Sequence, residues 1–265
     1  MEDSDGDDNG LGLFTEPEGF FRPEREPTTV VHQMLNGSQF TLRLVGHNPI
    51  SQGHFLWNAG RTLADFIEAN ATEFVRGKTV LELGAGAGLP SLICTICGAA
   101  RVVVTDYPDA DLVDNLRFNI EHCTLLPDAC KISAEGYLWG ADNEAIIANL
   151  PASQEERGFD VLILADLLFN HSEHVKLVQS IQQNLKHSPE AEALVFFTPY
   201  RPWLLEKDLS FFELARAGGL SVRKIFEKVM DKVMFEEDPG DELLRRTVYG
   251  YRLQWAATES ETGAA

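Results

Sequence analysis

The chain has 265 residues, 44% of them hydrophobic, which is enough for one sizeable α/β domain with a well-buried core. Its formal net charge of -19 repels phosphate backbones and no basic patch offsets it locally, so a basic protein or peptide partner is expected and direct nucleic-acid binding is not. No stretch approaches the roughly 18 to 20 uninterrupted apolar residues of a membrane span, and the start MEDSDGDDNG is the opposite of a basic-then-apolar signal peptide, so the cytoplasm is the expected compartment.

In chain order, residues 1–12 read as a disordered acidic tail. Residues 13–60 read as an arm and hairpin packed on the core, the arm being Pro- and Glu-rich but carrying Phe14, Phe20 and Phe21. Within "TVVHQMLNGSQFTLRLVG" two strand-like runs flank Asn36-Gly37, a dipeptide that favours positive φ at both central positions of a hairpin turn. "GHFLWNAGRTLADFIEAN" predicts a helix with Leu63, Phe66 and Ile67 on one face and Asn70 near its end.

From Lys78 the pattern is that of an open parallel α/β sheet, and residues 61–256 read as the main domain. "KTVLELG" is a buried strand, "LPSLICTICGA" a helix, "RVVVTD" a strand and "DADLVDNLRFNIEHC" an amphipathic helix. "CKISAEGYLWG" gives a strand and loop, "DVLILAD" a strand, "HVKLVQSIQQNLK" a helix and "AEALVFFTPY" a strand. "LSVRKIFEKV" and "TVYGYRLQW" add two strands around the acidic "EEDPGDE", and 257–265 read as a flexible end. Neither a repeat period nor a sustained heptad is visible. Cys94, Cys97, Cys123 and Cys130 read as reduced thiols, and the two imidazoles of "HSEH" (His171 and His174) lack companion ligands, so no metal is expected. A monomer is expected.

"LELGAGAGLP" sets Gly84, Gly86 and Gly88 on alternate positions at a strand-to-helix turn. There glycine permits positive φ or close approach of a ligand to free N–H groups. The dinucleotide fingerprint G-x-G-x-x-G wants its third glycine where Leu89 stands, which argues against a nicotinamide cofactor. Glu82 makes the pattern E-x-G-x-G-x-G, and Asp106 ends the next strand twenty residues past Gly86. A carboxylate there is sited to accept hydrogen bonds from both ribose hydroxyls of an adenosine-type ligand.

With "FLWNAG", "VLELGAGAGLPSL", "VVVTDYPD", "NLRFNI", "GYLWG" and "DVLILADLLFN", the chain resembles the seven-β-strand S-adenosylmethionine-dependent methyltransferases, and within them the protein-lysine branch called methyltransferase family 16. "LGLFTEPEGFFRPE" resembles fungal members that modify translation elongation factor 1-alpha. The resemblance implies a Rossmann-like, seven-stranded, mostly parallel sheet with helices on both faces, and S-adenosyl-L-methionine as cofactor. It implies cofactor contacts from Trp57, from Glu82 and the loop Gly84, Ala85 and Gly86, from Asp106 with Tyr107, from Trp139, and from Ala165. Trp139 is expected over the adenine and Trp57 at the methionine end, although large aromatics also serve as core. As substrate it implies the N-terminal α-amine and an adjacent lysine of elongation factor 1-alpha. Another protein's lysine, a small amine such as nicotinamide, and a catalytically idle nucleoside-binding scaffold remain as alternatives.

Methyl transfer from a sulfonium needs an unprotonated nucleophile held in line more than it needs acid-base chemistry. The family's D-x-x-F/Y element is matched by Asp166 and Phe169 at the end of a strand. Asp166 is expected to accept a hydrogen bond from the incoming amine, with helix N-capping as the structural alternative. Phe169 is expected to face the cation. Tyr200 lies either on the substrate side or packed under Pro202.

Overall fold

The computed structural model describes residues 26–46, 55–151 and 157–257. The expected tail, the arm with its three phenylalanines and the last eight residues of the chain lie outside the described residues. Strands β1 (Thr28–Gln33) and β2 (Gln39–Leu44) pair antiparallel, with Gln33 opposite Gln39. The turn differs from the expectation of two left-handed residues. Only Gly37 has positive φ, at 89°, while Gly37 N–H donates to the Met34 carbonyl and Met34 N–H to the Ser38 carbonyl. That is a three-residue loop closed by a left-handed glycine, so Asn36 keeps ordinary backbone and its Oδ1 accepts from Ser38 N–H instead.

Helix α1 (Asn58–Ala69) buries Leu63, Ala64 and Ile67 and is followed by the single turn α2 (Ala71–Phe74). Seven strands form the main sheet: β3 (Thr79–Leu83), β4 (Arg101–Asp106), β5 (Ile132–Gly136), β6 (Val161–Ala165), β7 (Glu192–Phe197), β8 (Leu220–Val229) and β9 (Thr247–Trp255). Their spatial order is β5-β4-β3-β6-β7-β9-β8; the first five are parallel and β9 runs antiparallel to both β7 and β8. Helices α3 (Leu89–Ile96) and α4 (Ala110–His122) join β3 to β4 and β4 to β5. A short turn, α5 (Glu144–Ile147), precedes β6, and α6 (His174–Asn184) and α7 (Leu205–Ala217) flank β7. One turn, α8 (Glu242–Arg245), separates β8 from β9.

Side chains alternate across a strand, and here both faces are covered. Val80, Ile163, Leu194 and Phe196 pack with Leu63, Ile67 and Ile93 on one face. Leu81, Leu162, Val195 and Phe197 pack with Leu177, Ile181, Phe211 and Phe212 on the other. The central strands β3, β4, β6 and β7 are therefore buried along almost their whole length rather than on alternate residues, while the edge strand β8 is largely open to solvent. The hairpin joins the first of these layers through Phe40, Leu42 and Leu44. It is also pinned to α4: Asn119 Oδ1 accepts from Arg43 N–H at 2.7 Å, and the Arg43 guanidinium lies 3.7 Å from the Phe118 ring centre.

Because β4 lies on one side of β3 and β6 on the other, the chain reverses its direction of sheet growth at β3. Open α/β sheets leave a crevice beyond the carboxyl ends of the strands at such a switch. Gly84, Asp106, Ala165 and Thr198 all stand at those ends. No helix among the described residues is long and apolar enough to cross a membrane.

Candidate active site

The crevice holds a cavity of about 530 Å³. Gly84, Gly86 and Gly88 turn the chain from β3 into α3 with φ of 60°, 57° and 76°, a region that costs glycine little. A Cβ at Gly84 would sit 2.7 Å from Leu167 Cδ2 and 3.1 Å from Trp139, and one at Gly88 would sit 3.0 Å from Leu116. At these two positions it is the protein's own side chains that press on the turn. Glu82, buried in β3, reaches forward to α3: its Oε2 accepts from Ser91 N–H at 3.0 Å and from Ser91 Oγ. It thus caps the third residue of α3 from outside the helix. Burial raises its carboxyl from 4.5 to about 8, the Ser91 bonds opposing the shift.

Asp106 ends β4, its Cα registered opposite Gly136. One oxygen accepts from Gly86 N–H at 2.6 Å and the other from Tyr107 N–H at 2.7 Å. A carboxylate has about four acceptor positions, so each oxygen keeps one for a further donor. Burial raises the Asp106 carboxyl above its ordinary value, against the pull of these two N–H groups.

All nine residues expected at the cofactor line this one cavity: Trp57 and Glu82, the turn Gly84, Ala85 and Gly86, then Asp106, Tyr107, Trp139 and Ala165. Tyr107 is exposed, while Trp57 and Trp139 are half-buried. Phe55, Leu138, Leu167, Glu173 and Lys176, none of them an expected cofactor contact, stand on the same walls. Leu167 had a signal, since it lies within "ADLLFN", but only the fold shows that it faces Gly84.

Asp166 follows β6 and is the one non-glycine residue with positive φ, 53°, among the described residues. Asp tolerates this region better than most residues because its short polar side chain bonds locally, but the conformation still costs energy and is held by its surroundings. Three donors hold it here: Ala59 N–H at 2.8 Å and the Tyr200 hydroxyl at 3.3 Å on Oδ2, and Thr198 N–H at 2.7 Å on Oδ1. Asp166 therefore caps α1, a helix more than a hundred residues earlier, rather than opening a helix of its own. Burial lifts its carboxyl to about 7 in spite of these bonds.

Tyr200 does not line the first cavity; it lines a second one of about 390 Å³, whose walls include Phe55, Trp57, Asp166 and Phe169 in common with the first. Its hydroxyl accepts from Asn58 N–H at 3.1 Å and its ring meets Trp57 edge-on, centres 5.0 Å apart. Burial and the neighbouring Asp166 push the phenol pKa up, so Tyr200 stays a donor to that carboxylate. Phe169 is 44% exposed and lines both cavities. His171 Nε2 meets Asp208 Oδ1 at 2.6 Å and His174 Nε2 meets the Leu168 carbonyl, so both imidazoles are engaged. The four cysteines are free thiols, and no cluster of metal-ligating side chains occurs among the described residues.

Residues 37–217 match the family described as lysine methyltransferase. The chain is 51% identical over 252 residues to the protein N-terminal and lysine N-methyltransferase efm7 of Aspergillus fumigatus, covering 94% of this chain and 96% of that one. The Schizosaccharomyces pombe protein of the same name is 45% identical over 254 residues, with 94% and 97% covered. Among solved structures, a Streptococcus mutans protein assigned as a SAM-dependent methyltransferase has a TM-score of 0.57 at 13% identity, over 88% of this chain and 57% of that chain. Trm5b of Pyrococcus abyssi has a TM-score of 0.50 at 16% identity, over 87% and 56%. These two likenesses concern the fold.

Proposed function

The chain belongs to the lysine methyltransferase family, and from that premise we propose that it methylates the N-terminal α-amine and an adjacent lysine of translation elongation factor 1-alpha. It is a protein methyltransferase that depends on S-adenosylmethionine. The observation that carries the site is Asp106, a buried carboxylate facing a cavity with one acceptor position open on each oxygen. Two neighbouring ribose hydroxyls would satisfy both, and the half-buried rings of Trp57 and Trp139 offer apolar cover to the rest of the cofactor. Bound there, S-adenosylmethionine supplies an electrophilic methyl carbon on a cationic sulfur.

The chain's own residues then have to hold an amine and strip its proton. A terminal α-amine, with an ordinary pKa of about 7.7 to 8.0, is already partly neutral near pH 7, whereas a lysine near 10.4 is not. The Asp166 carboxyl borders both cavities, and the amine N–H is received on it, beside the bond from Thr198 N–H. A carboxyl titrating near 7 is a stronger base than an ordinary aspartate, which favours taking up the amine's proton. Phe169, open on both cavities, faces the cation before that proton is lost.

The elongation-factor target is supported by the resemblance of the N-terminal and core stretches, and by a net charge of -19 that suits a basic chain end. Incubation of the protein with tritiated S-adenosylmethionine and a fungal lysate tests it. A single labelled band at the size of elongation factor 1-alpha, with label at residue one and the next lysine by mass spectrometry, is the expected result. Label on another protein only, or in the small-molecule fraction, refutes that target.

A further inference from the structure

The second cavity lies beside the first, the two sharing Phe55, Trp57, Asp166 and Phe169 as a partition. Its far side is built by the loop between β8 and β9, which supplies Phe235 and Asp238. Three anchors fix that loop. The Phe235 ring packs edge-on against Phe55, Trp57 and Tyr200, with centres 5.2, 5.7 and 6.0 Å apart. Arg245 Nη1 donates to the Phe235 carbonyl at 2.8 Å. Gly240 leaves room for Pro202, which a Cβ there would approach to 3.3 Å.

Three carboxylates border this cavity, Asp166, Asp208 and Asp238, against one guanidinium, Arg201, which donates to the Phe169 carbonyl. Asp166 is held by three donors and Asp208 by His171. Asp238 is exposed and has neither an ion pair nor a hydrogen bond among the described residues. The cavity thus combines aromatic walls, a net negative lining and one uncommitted carboxylate, on the side of Asp166 away from the glycine turn.

Resting on the reading that the chain methylates a protein amine, we propose that this second cavity receives the cationic amino end of the polypeptide substrate, and that Phe235 and Asp238 set the preference for a basic acceptor segment. The aromatic lining favours an ammonium over an anion, and the carboxylate selects against an acidic or neutral segment. Phe235 acts by keeping Trp57 and Tyr200 in place as walls, and Asp238 by direct charge pairing.

The test uses the full chain and a peptide copied from the amino terminus of elongation factor 1-alpha. Steady-state methylation is measured together with calorimetric binding of S-adenosylhomocysteine. Asp238→Lys is expected to raise the peptide KM by roughly tenfold or more with kcat and S-adenosylhomocysteine affinity unchanged, and Asp238→Asn by less. Glu121→Lys, the same charge change on the exposed end of α4, is expected to leave KM as in the wild type. Phe235→Ala is expected to raise KM as well. Should that variant fold poorly, Asp238→Lys decides alone, because its side chain is exposed. A peptide KM within about twofold of wild type for Asp238→Lys overturns the proposal while leaving the methyltransferase reading intact. A wild-type protein that binds S-adenosylhomocysteine but labels neither the peptide nor any protein in a lysate removes the reading, and the proposal with it.

Discussion

Two buried aspartates divide the work at this site by what already surrounds them. Asp106 spends one acceptor position per oxygen on Gly86 and Tyr107, leaving a matched pair for hydroxyl donors. Asp106→Ala should therefore weaken S-adenosylhomocysteine binding by roughly a hundredfold, two hydrogen bonds to a charged group being worth about 3 kcal/mol together. Calorimetry on folded variant protein measures this, and unchanged affinity would remove Asp106 from the site. Asp166 is different, because all three of its partners are donors. Asp166→Asn turns one acceptor atom into an N–H₂ that faces donors, so a loss of stability of about 1 to 3 kcal/mol accompanies any loss of turnover. Turnover must accordingly be compared at a temperature where both proteins are folded, and wild-type turnover under those conditions would show that the carboxylate has no part in handling the amine.

At the scale of elements, two helix starts are capped by carboxylates from elsewhere in the chain: α3 by Glu82 within β3 and α1 by Asp166 just after β6. Each cap brings a helix N-terminus to the cavity and fixes the angle at which it arrives. The glycine turn has the same effect on β3 and α3. Gly84→Ala combines left-handed strain with an approach of 2.7 Å to Leu167, and should destabilise by about 1 to 3 kcal/mol while weakening S-adenosylhomocysteine. Thermal unfolding and calorimetry on the same preparation check both, and a wild-type midpoint would contradict the packing at this turn. The hairpin loop, by contrast, places its left-handed glycine where Asn36-Gly37 predicted a turn but closes it with three residues rather than two, because register on the far strand is set by Phe40 and Leu42 entering the core.

For the whole molecule, the acid groups make stability depend on pH in a definite direction. In the folded chain Asp166 titrates near 7 instead of 3.8, and Glu82 near 8 instead of 4.5. Between each pair of values the folded state holds a proton that the unfolded state has released. Their contribution is thus full below the lower values and is lost as pH rises through about 7 and 8. The unfolding midpoint should fall from about pH 5 to about pH 8, and Glu82→Gln, which can still accept from Ser91, should flatten the decline. A midpoint that rises over this range would contradict the burial of both groups. The sequence was sufficient for the parallel strands, since burial on both faces makes "VLEL", "VVVT" and "VLILA" predominantly apolar with only Glu82 and Thr105 interrupting them, and for the turn glycines and Asp106, which lie at fixed spacing within one βαβ unit. Helix α7 has no clear periodic signal in the chain and the loop carrying Phe235 shows only as an acidic connection, yet Asp208 and Phe235 help to build the second cavity. What the sequence by itself determined was local: periodicity, turn chemistry and the spacing between neighbouring strand ends are properties of contiguous residues. Which carboxylate caps which helix, which ring meets Trp57 and where the second cavity opens were decided only when the sheet order β5-β4-β3-β6-β7-β9-β8 brought together residues as distant as Ala59, Asp166, Tyr200 and Phe235, because contacts across such separations are set by packing and carry no periodic trace in the chain.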